Sequence, residues 1–296
     1  MKSNVTTLPR TVLGRYGIFE KRGRAGLLLV HGITGTPTEM KPLIRKLVAQ
    51  NFTVACPQLV GHCTTLKELK KTSWQDWYAT LESSLDFLRS ECDSIVVSGL
   101  SMGALLALKL AADHPDKIDG IATLSATFVY DGWNVPRLKQ RWILPLVLHS
   151  PLRYFLSYHE PAPYGIKDDR IRSLITTVYE NYGDNMPEKY GYSEFPGVTI
   201  LETFRLIQAV KRELSRVEIP LLVVHSTEDD MASLNNARFL VETVSSKHVE
   251  SYYLDDTYHV LTLDKRRDDV SERVGDFALR CTMGTLKVST SLSGHL

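Results

Sequence analysis

Short apolar runs of five to seven residues, each bounded by turn residues, alternate along this chain with segments of helical period. The runs fall at 26–31 (GLLLVH), 52–57 (FTVACP), 94–98 (SIVVS), 118–124 (IDGIATL), 220–225 (PLLVVH) and 248–254 (HVESYYL). Most are almost continuously apolar, as expected of strands buried on both faces rather than one. Between and after them, 39–50, 73–89, 102–114, 233–245 and 265–280 carry apolar residues at helical spacing. Strand alternating with helix predicts an α/β fold with a mostly parallel sheet and helices on both faces.

One region breaks the alternation. Between 128 and 196 no clear strand is visible, prolines recur, and 13 of the 26 aromatic residues are gathered there. A chain of 296 residues with 43% apolar content is long enough for one large domain carrying such an insertion. The expected organisation is therefore a core formed by 1–127 and 201–281, with 128–200 inserted as a lid or cap. Trp133, Trp142, Phe155 and Tyr158 either make a small core of the insertion's own or present an aromatic face to a pocket. The polar, aperiodic 282–296 reads as a frayed tail.

Charge narrows the partners. With 35 Lys and Arg against 34 Asp and Glu, the net charge of +1 offers no field to draw in nucleic acid or an anionic membrane. A small neutral molecule is the expected partner; the sequence indicates no oligomeric state. The N-terminus has no apolar stretch of the signal-peptide kind, and no run of about 18 apolar residues occurs. A soluble cytoplasmic protein without an integral membrane segment is expected. Cys56, Cys63, Cys92 and Cys281 form no C-x-x-C pair and no metal-ligand spacing with the histidines, so neither metal nor cofactor is implied. They read as small core or surface residues, with a Cys56–Cys63 disulfide as the lesser alternative.

The chemistry gathers around GLSMGA, 99–104. The pattern G-x-S-x-G arises by chance in roughly one chain of this length in ten, so its context decides. Here it joins a predicted strand to a predicted helix, the turn on which a serine is held exposed in a strained conformation. Gly99 and Gly103 are then required where side chains would meet the neighbouring strand and helix. A nucleophilic Ser101 needs a base, an orienting acid and oxyanion donors. PLLVVHS runs into TEDD and SYYLDD into TYHV, each placing ionisable groups just past the carboxyl end of a strand. His259 supplies the base. Asp229 and Asp230 both lie in the right loop, and the spacing from the strand exit favours Asp229. Asp255 and Asp256 read as solvated turn residues and Asp264 as a helix N-cap. Upstream, His31-Gly32 follows a buried strand, with His31 hydrogen-bonding the loop. The Ile33 N–H is the best candidate for one oxyanion donor and the Met102 N–H, directly after the serine, for the other.

With these residues in hand the chain resembles the α/β-hydrolase superfamily, and within it the microbial carboxylesterase and monoacylglycerol lipase group. The resemblance rests on LLLVHGITGTPTEM, PQLVGH, SGLSMGA, VVHSTEDD and YHVLTLD, which span most of the chain outside the insertion. It implies an α/β-hydrolase fold, Ser101 as nucleophile, Asp229 as acid, His259 as base, and Ile33 and Met102 as oxyanion donors. Gly61-His62-Cys63 stands where the group usually reads G-H-G, which predicts a differently shaped turn. The implied activity is hydrolysis of carboxylic esters of short to medium acyl chains through an acyl-enzyme. The same triad serves thioesterases, aminopeptidases and carbon–carbon bond hydrolases, and a non-catalytic ligand-binding or scaffold relative is the alternative of another class.

Overall fold

The computed structural model describes residues 10–136 and 143–286. Helix α1 (Arg10–Leu13) is followed by strands β1 (Ile18–Glu20) and β2 (Ala25–Val30), helix α2 (Lys41–Ala49) and strand β3 (Thr53–Cys56). Next come α3 (Leu66–Leu69), α4 (Trp74–Glu91), β4 (Ser94–Leu100), α5 (Met102–Asp113) and β5 (Gly120–Leu124). The inserted segment contributes α6 (Leu144–Leu148), β6 (Ser157–His159), α7 (Asp169–Tyr182), α8 (Pro187–Tyr190) and β7 (Glu194–Pro196). The chain then returns through α9 (Gly197–Glu213), β8 (Leu221–Ser226), α10 (Asn235–Thr243), β9 (Val249–Leu254) and α11 (Arg267–Thr282).

The main sheet has seven strands in the order β1-β3-β2-β4-β5-β8-β9. Only β1 runs antiparallel to its neighbour. Each of the six apolar runs is a strand of this sheet, and the pleat explains their composition. Leu28, Val30, Ile95, Val97, Ile121 and Val223 point to one face, where they are buried with residues of α4, α5 and α9. Their neighbours Leu27, Leu29, Val96, Ala122, Leu222 and Val224 point to the other, against α2 and α11. Fully burying one such side chain is worth about 1.5–3 kcal/mol, so a polar residue at either parity would be costly.

Three details differ from the sequence reading. The segment expected to lack strands contains β6 and β7, a small antiparallel pair in which Tyr158 faces Phe195. Of the four aromatics expected to make a small core or face a pocket, Trp133, Phe155 and Tyr158 are 58%, 81% and 37% exposed and so make no buried core together, and Trp142 lies outside the described residues. Helix α9 runs through the expected boundary at 200/201 and buries Leu206, Ile207 and Val210 in the same core as α5. Of the expected tail, Thr282 closes α11 and 287–296 lie outside the described residues. The four cysteines are buried and none is in a disulfide, so the Cys56–Cys63 alternative does not hold.

Candidate active site

Strand β4 ends at Leu100 and α5 begins at Met102, so a single residue turns the chain. That residue, Ser101, has φ 55° and ψ −114°, a conformation whose strain costs a non-glycine residue of order 1–3 kcal/mol. Its N–H donates to Leu124 O (2.8 Å) and its carbonyl accepts from Ala104 N (3.0 Å), which pins the turn to β5 and to the first turn of α5. The flanking glycines are steric requirements. A Cβ on Gly99 would lie 2.1 Å from Gly103 O, and one on Gly103 2.4 Å from Val30 O.

The carboxyl ends of β8 and β9 deliver the other two groups. His259 Nε2 lies 2.9 Å from Ser101 Oγ, and His259 Nδ1 lies 2.9 and 3.0 Å from the two carboxylate oxygens of Asp229. A proton on Nδ1 therefore donates to Asp229 and leaves Nε2 free to accept from the serine hydroxyl. All three side chains are buried. Burial opposes the Asp229 charge, but the His259 imidazole, His225 and the Ala232 N–H outweigh it and hold the carboxylate below its ordinary pKa. Burial likewise opposes a charged His259; the charge and hydrogen bond of Asp229, with Asp230 and Glu160 behind it, raise its pKa nonetheless. Ser125 Oγ donates to His259 O (2.8 Å) and fixes the loop from β5.

Asp230 does not meet the histidine. Its carboxylate accepts from Gly165 N (3.1 Å) in the inserted segment, and burial pushes its pKa up to about 6. Asp255 and Asp256 are exposed and paired with Arg266 and with Lys167 and Lys265, in keeping with surface turn residues. Asp264 is not the N-cap of α11, which starts at Arg267. It is buried and accepts from Lys167 N, Asp168 N, Thr257 Oγ1 and Tyr258 N at 2.7–3.0 Å, tying the inserted segment to the His259 loop.

After β2, His31 Nδ1 donates to Gly32 O (2.9 Å) and its Nε2 accepts from Leu59 N (3.3 Å). It braces the loop and stands apart from the serine's hydrogen-bond partners. A Cβ on Gly32 would lie 3.9 Å from Ser101 Cβ, and Gly32 and Ile33 line the same cavity as the serine. Met102 N opens α5, where an N–H has no intrahelical acceptor. The turn at Gly61-His62-Cys63 has φ 81° at Gly61 and 59° at Cys63. Its carbonyl at Gly61 accepts from the Tyr192 hydroxyl (3.1 Å) of the inserted segment.

Ser101 and His259 open into a cavity of about 310 Å³ shared with Gly32, Ile33, Glu39 and Glu160. A second cavity of about 310 Å³, walled by Val147, Leu148, Leu156, Ile200 and Phe204, shares Ile33, Tyr130, Phe195 and Met231 with the first. In sequence Glu160 stands with Asp168, Asp169 and Glu180 among carboxylates of the inserted segment that no pattern distinguishes; of these it is the one that lines the cavity. Burial first, then Asp230, pushes its pKa up to about 8, so it is largely neutral at pH 7. Among the described residues no group of three or more His, Cys, Asp and Glu side chains is arranged to hold a metal, and no helix is long and apolar enough to cross a membrane.

A serine on a strand-to-helix turn, hydrogen-bonded to a histidine backed by a buried aspartate on a mostly parallel sheet, defines a serine hydrolase of the α/β-hydrolase class. More narrowly, the chain belongs to the family described as serine aminopeptidase S33, whose model matches residues 21–266. It is 30% identical over 272 residues to a thermostable monoacylglycerol lipase from Bacillus sp. strain H-257, covering 89% of this chain and 94% of the relative. It is 26% identical over 258 residues to a carboxylesterase from Bacillus subtilis strain 168, covering 87% and 93%. Among solved structures, one of the metagenome-derived lipolytic enzymes LipS and LipT superposes with a TM-score of 0.75 at 25% identity, over 89% of this chain and 97% of that one. A monoacylglycerol lipase from Paleococcus ferrophilus shares the fold with a TM-score of 0.72 at 17% identity, over 90% and 98%.

Proposed function

We propose that this protein hydrolyses carboxylic esters of short to medium acyl chains through an acyl-enzyme on Ser101. The observation that carries the proposal is the hydrogen-bonded line Asp229–His259–Ser101 beside a cavity that shares wall residues with an apolar one. Relatives described as a monoacylglycerol lipase and a carboxylesterase support it. In this reading His259 Nε2 takes the hydroxyl proton as Ser101 Oγ attacks the ester carbonyl, while Asp229 keeps the other ring proton in place and stabilises the imidazolium. The Ile33 and Met102 amides stabilise the tetrahedral oxyanion. His259 returns the proton to the departing alkoxide, and a water activated by the same nitrogen then releases the acid. The inserted segment acts as a lid that walls the acyl cavity with Leu148, Leu156 and Phe195.

Ser101→Ala tests the proposal. The methyl fits where the serine stands, so the fold persists while turnover of a 4-nitrophenyl ester falls to the residual level left by binding alone. Wild-type turnover by the purified variant would refute the assignment. Matched oxygen ester, thioester and amide substrates rank the bond cleaved, and the oxygen ester should lead.

A further inference from the structure

Glu39 sits where a helix-capping residue is expected and does something else. The stretch Thr36-Pro37-Thr38-Glu39 has the T-x-x-E spacing of a capping box, in which the glutamate would reach back to the threonine N–H. Instead its Oε1 accepts from Gly32 N, seven residues earlier, at 2.5 Å. The carboxyl lies against the turn it holds: a Cβ on Gly35 would fall 2.3 Å from Glu39 Oε2. That turn is closed by Gly35 N donating to Gly32 O (3.2 Å) and is held also by Tyr192 N donating to Thr34 O (3.0 Å). Glu39 also lines the catalytic cavity with Ser101 and His259, and has no cationic side chain paired with it among the described residues. A glutamate serving only the helix would not be turned towards the reacting centre.

We propose that Glu39 is the positioning residue of the oxyanion loop: by gripping the Gly32 amide it aims the following amide, Ile33 N–H, at the carbonyl oxygen over Ser101. The inference rests on the reading of Ser101 and Ile33 given above. What Glu39 supplies is an acceptor; the negative charge is a handicap, because it lies beside the place where an oxyanion develops. Burial pushes its pKa up to about 7, against the Gly32 N–H and the His259 charge, so it ionises where the enzyme can be assayed. The other titratable groups facing it are Cys56 and Cys63, which burial holds protonated throughout that range, and across the cavity Glu160 and Lys189.

The test compares Glu39→Gln and Glu39→Ala with wild type on 4-nitrophenyl butyrate, with Ser101→Ala as reference. Glu39→Ala should lower kcat about 10- to 100-fold with KM within about twofold, somewhat less than deleting an oxyanion donor outright. Glu39→Gln keeps an acceptor oxygen and should return kcat to within about threefold. The ratio of Glu39→Gln to wild-type kcat should also rise as pH passes neutrality, since only the wild type acquires a charge. Glu39→Ala within threefold of wild type, or Glu39→Gln as slow as Glu39→Ala, would overturn the proposal. If circular dichroism finds Glu39→Ala unfolded, Glu39→Asp, whose shorter carboxylate withdraws from Gly32 N, takes its place: a kcat at least about tenfold below wild type supports the proposal and one within about threefold overturns it. An active Ser101→Ala would instead mean that the reading of the site has failed, a result separable from a failure of Glu39 alone.

Discussion

At the scale of single residues, two adjacent aspartates have opposite surroundings. Asp229 accepts from Met231 N, Ala232 N and the His259 ring, whereas Asp230 accepts from Gly165 N and has a buried Oδ1 without a hydrogen-bond partner among the described residues. Asp229→Asn presents an amide to Nδ1 and favours the tautomer that leaves Nε2 protonated, so kcat should fall by a factor on the order of 10⁴. Asp230→Asn should leave the alkaline plateau within about threefold, because Asp230 is no partner of the ring. It should move the acid limb of kcat/KM to lower pH: removing a nearby negative charge lowers the raised pKa of His259, and the base is neutral earlier. A pH profile of both variants checks this. A limb unmoved in Asp230→Asn would mean that Asp230 is neutral wherever His259 titrates. The sequence distinguishes the two aspartates by their distance from a strand exit, a backbone argument, and Asp229 is the one that lies against the His259 ring. It could not place Glu39 or choose Glu160 from the other carboxylates of the inserted segment, because their place at the cavity depends on the direction of side chains and not on periodicity.

At the scale of elements, the strands were legible because burial on both faces leaves near-continuous apolar runs. Strand β1 was not, since three residues at an antiparallel edge, Ile18-Phe19-Glu20, carry too short a pattern. Helix α9 escaped because its buried face includes Thr199, Glu202 and Thr203 beside Leu206 and Val210. Asp264 was misread for a related reason: its donors come from 167–168 and 257–258, a tertiary arrangement that looks like a helix cap in sequence. The β4-turn-α5 unit was legible down to its glycines, and it makes a sharp prediction. In Gly103→Ala the new methyl meets two backbone carbonyls, Val30 O at 2.4 Å and His31 O at 2.6 Å, and neither is the end of a flexible side chain. Strand and helix must move apart, at a cost of about 1–3 kcal/mol in stability as in other overpacked cores. Urea denaturation should register that loss together with reduced turnover, because Ser101 rides on the displaced turn. Unchanged stability would imply that α5 can slide along the sheet.

At the scale of the whole molecule, an open parallel sheet collects loops at its carboxyl edge, and residues of the inserted segment line both the cavity at Ser101 and the apolar one beside it. Tyr130, Phe195 and Met231 line both, so the path for an acyl chain whose carbonyl sits at Ser101 runs beside these three side chains. Each added methylene that enters this path gains up to about 0.8 kcal/mol, roughly fourfold in kcat/KM, as long as the transition state shares the contact. A space of about 310 Å³ is finite and lies at the small end of ligand pockets. The gain should therefore stop at short to medium length, leaving a maximum and not a continuing rise. Specificity constants for 4-nitrophenyl esters of two to sixteen carbons, measured below micelle formation, trace the profile. A rise that continues past eight carbons would require the inserted segment to open under a longer chain. A flat profile would place the acyl group elsewhere and leave this cavity without a role in the reaction. Phe204→Trp adds bulk to the cavity wall and supplies the internal control: if the chain lies there, the optimum shortens while the rate on the two-carbon ester stays near wild type.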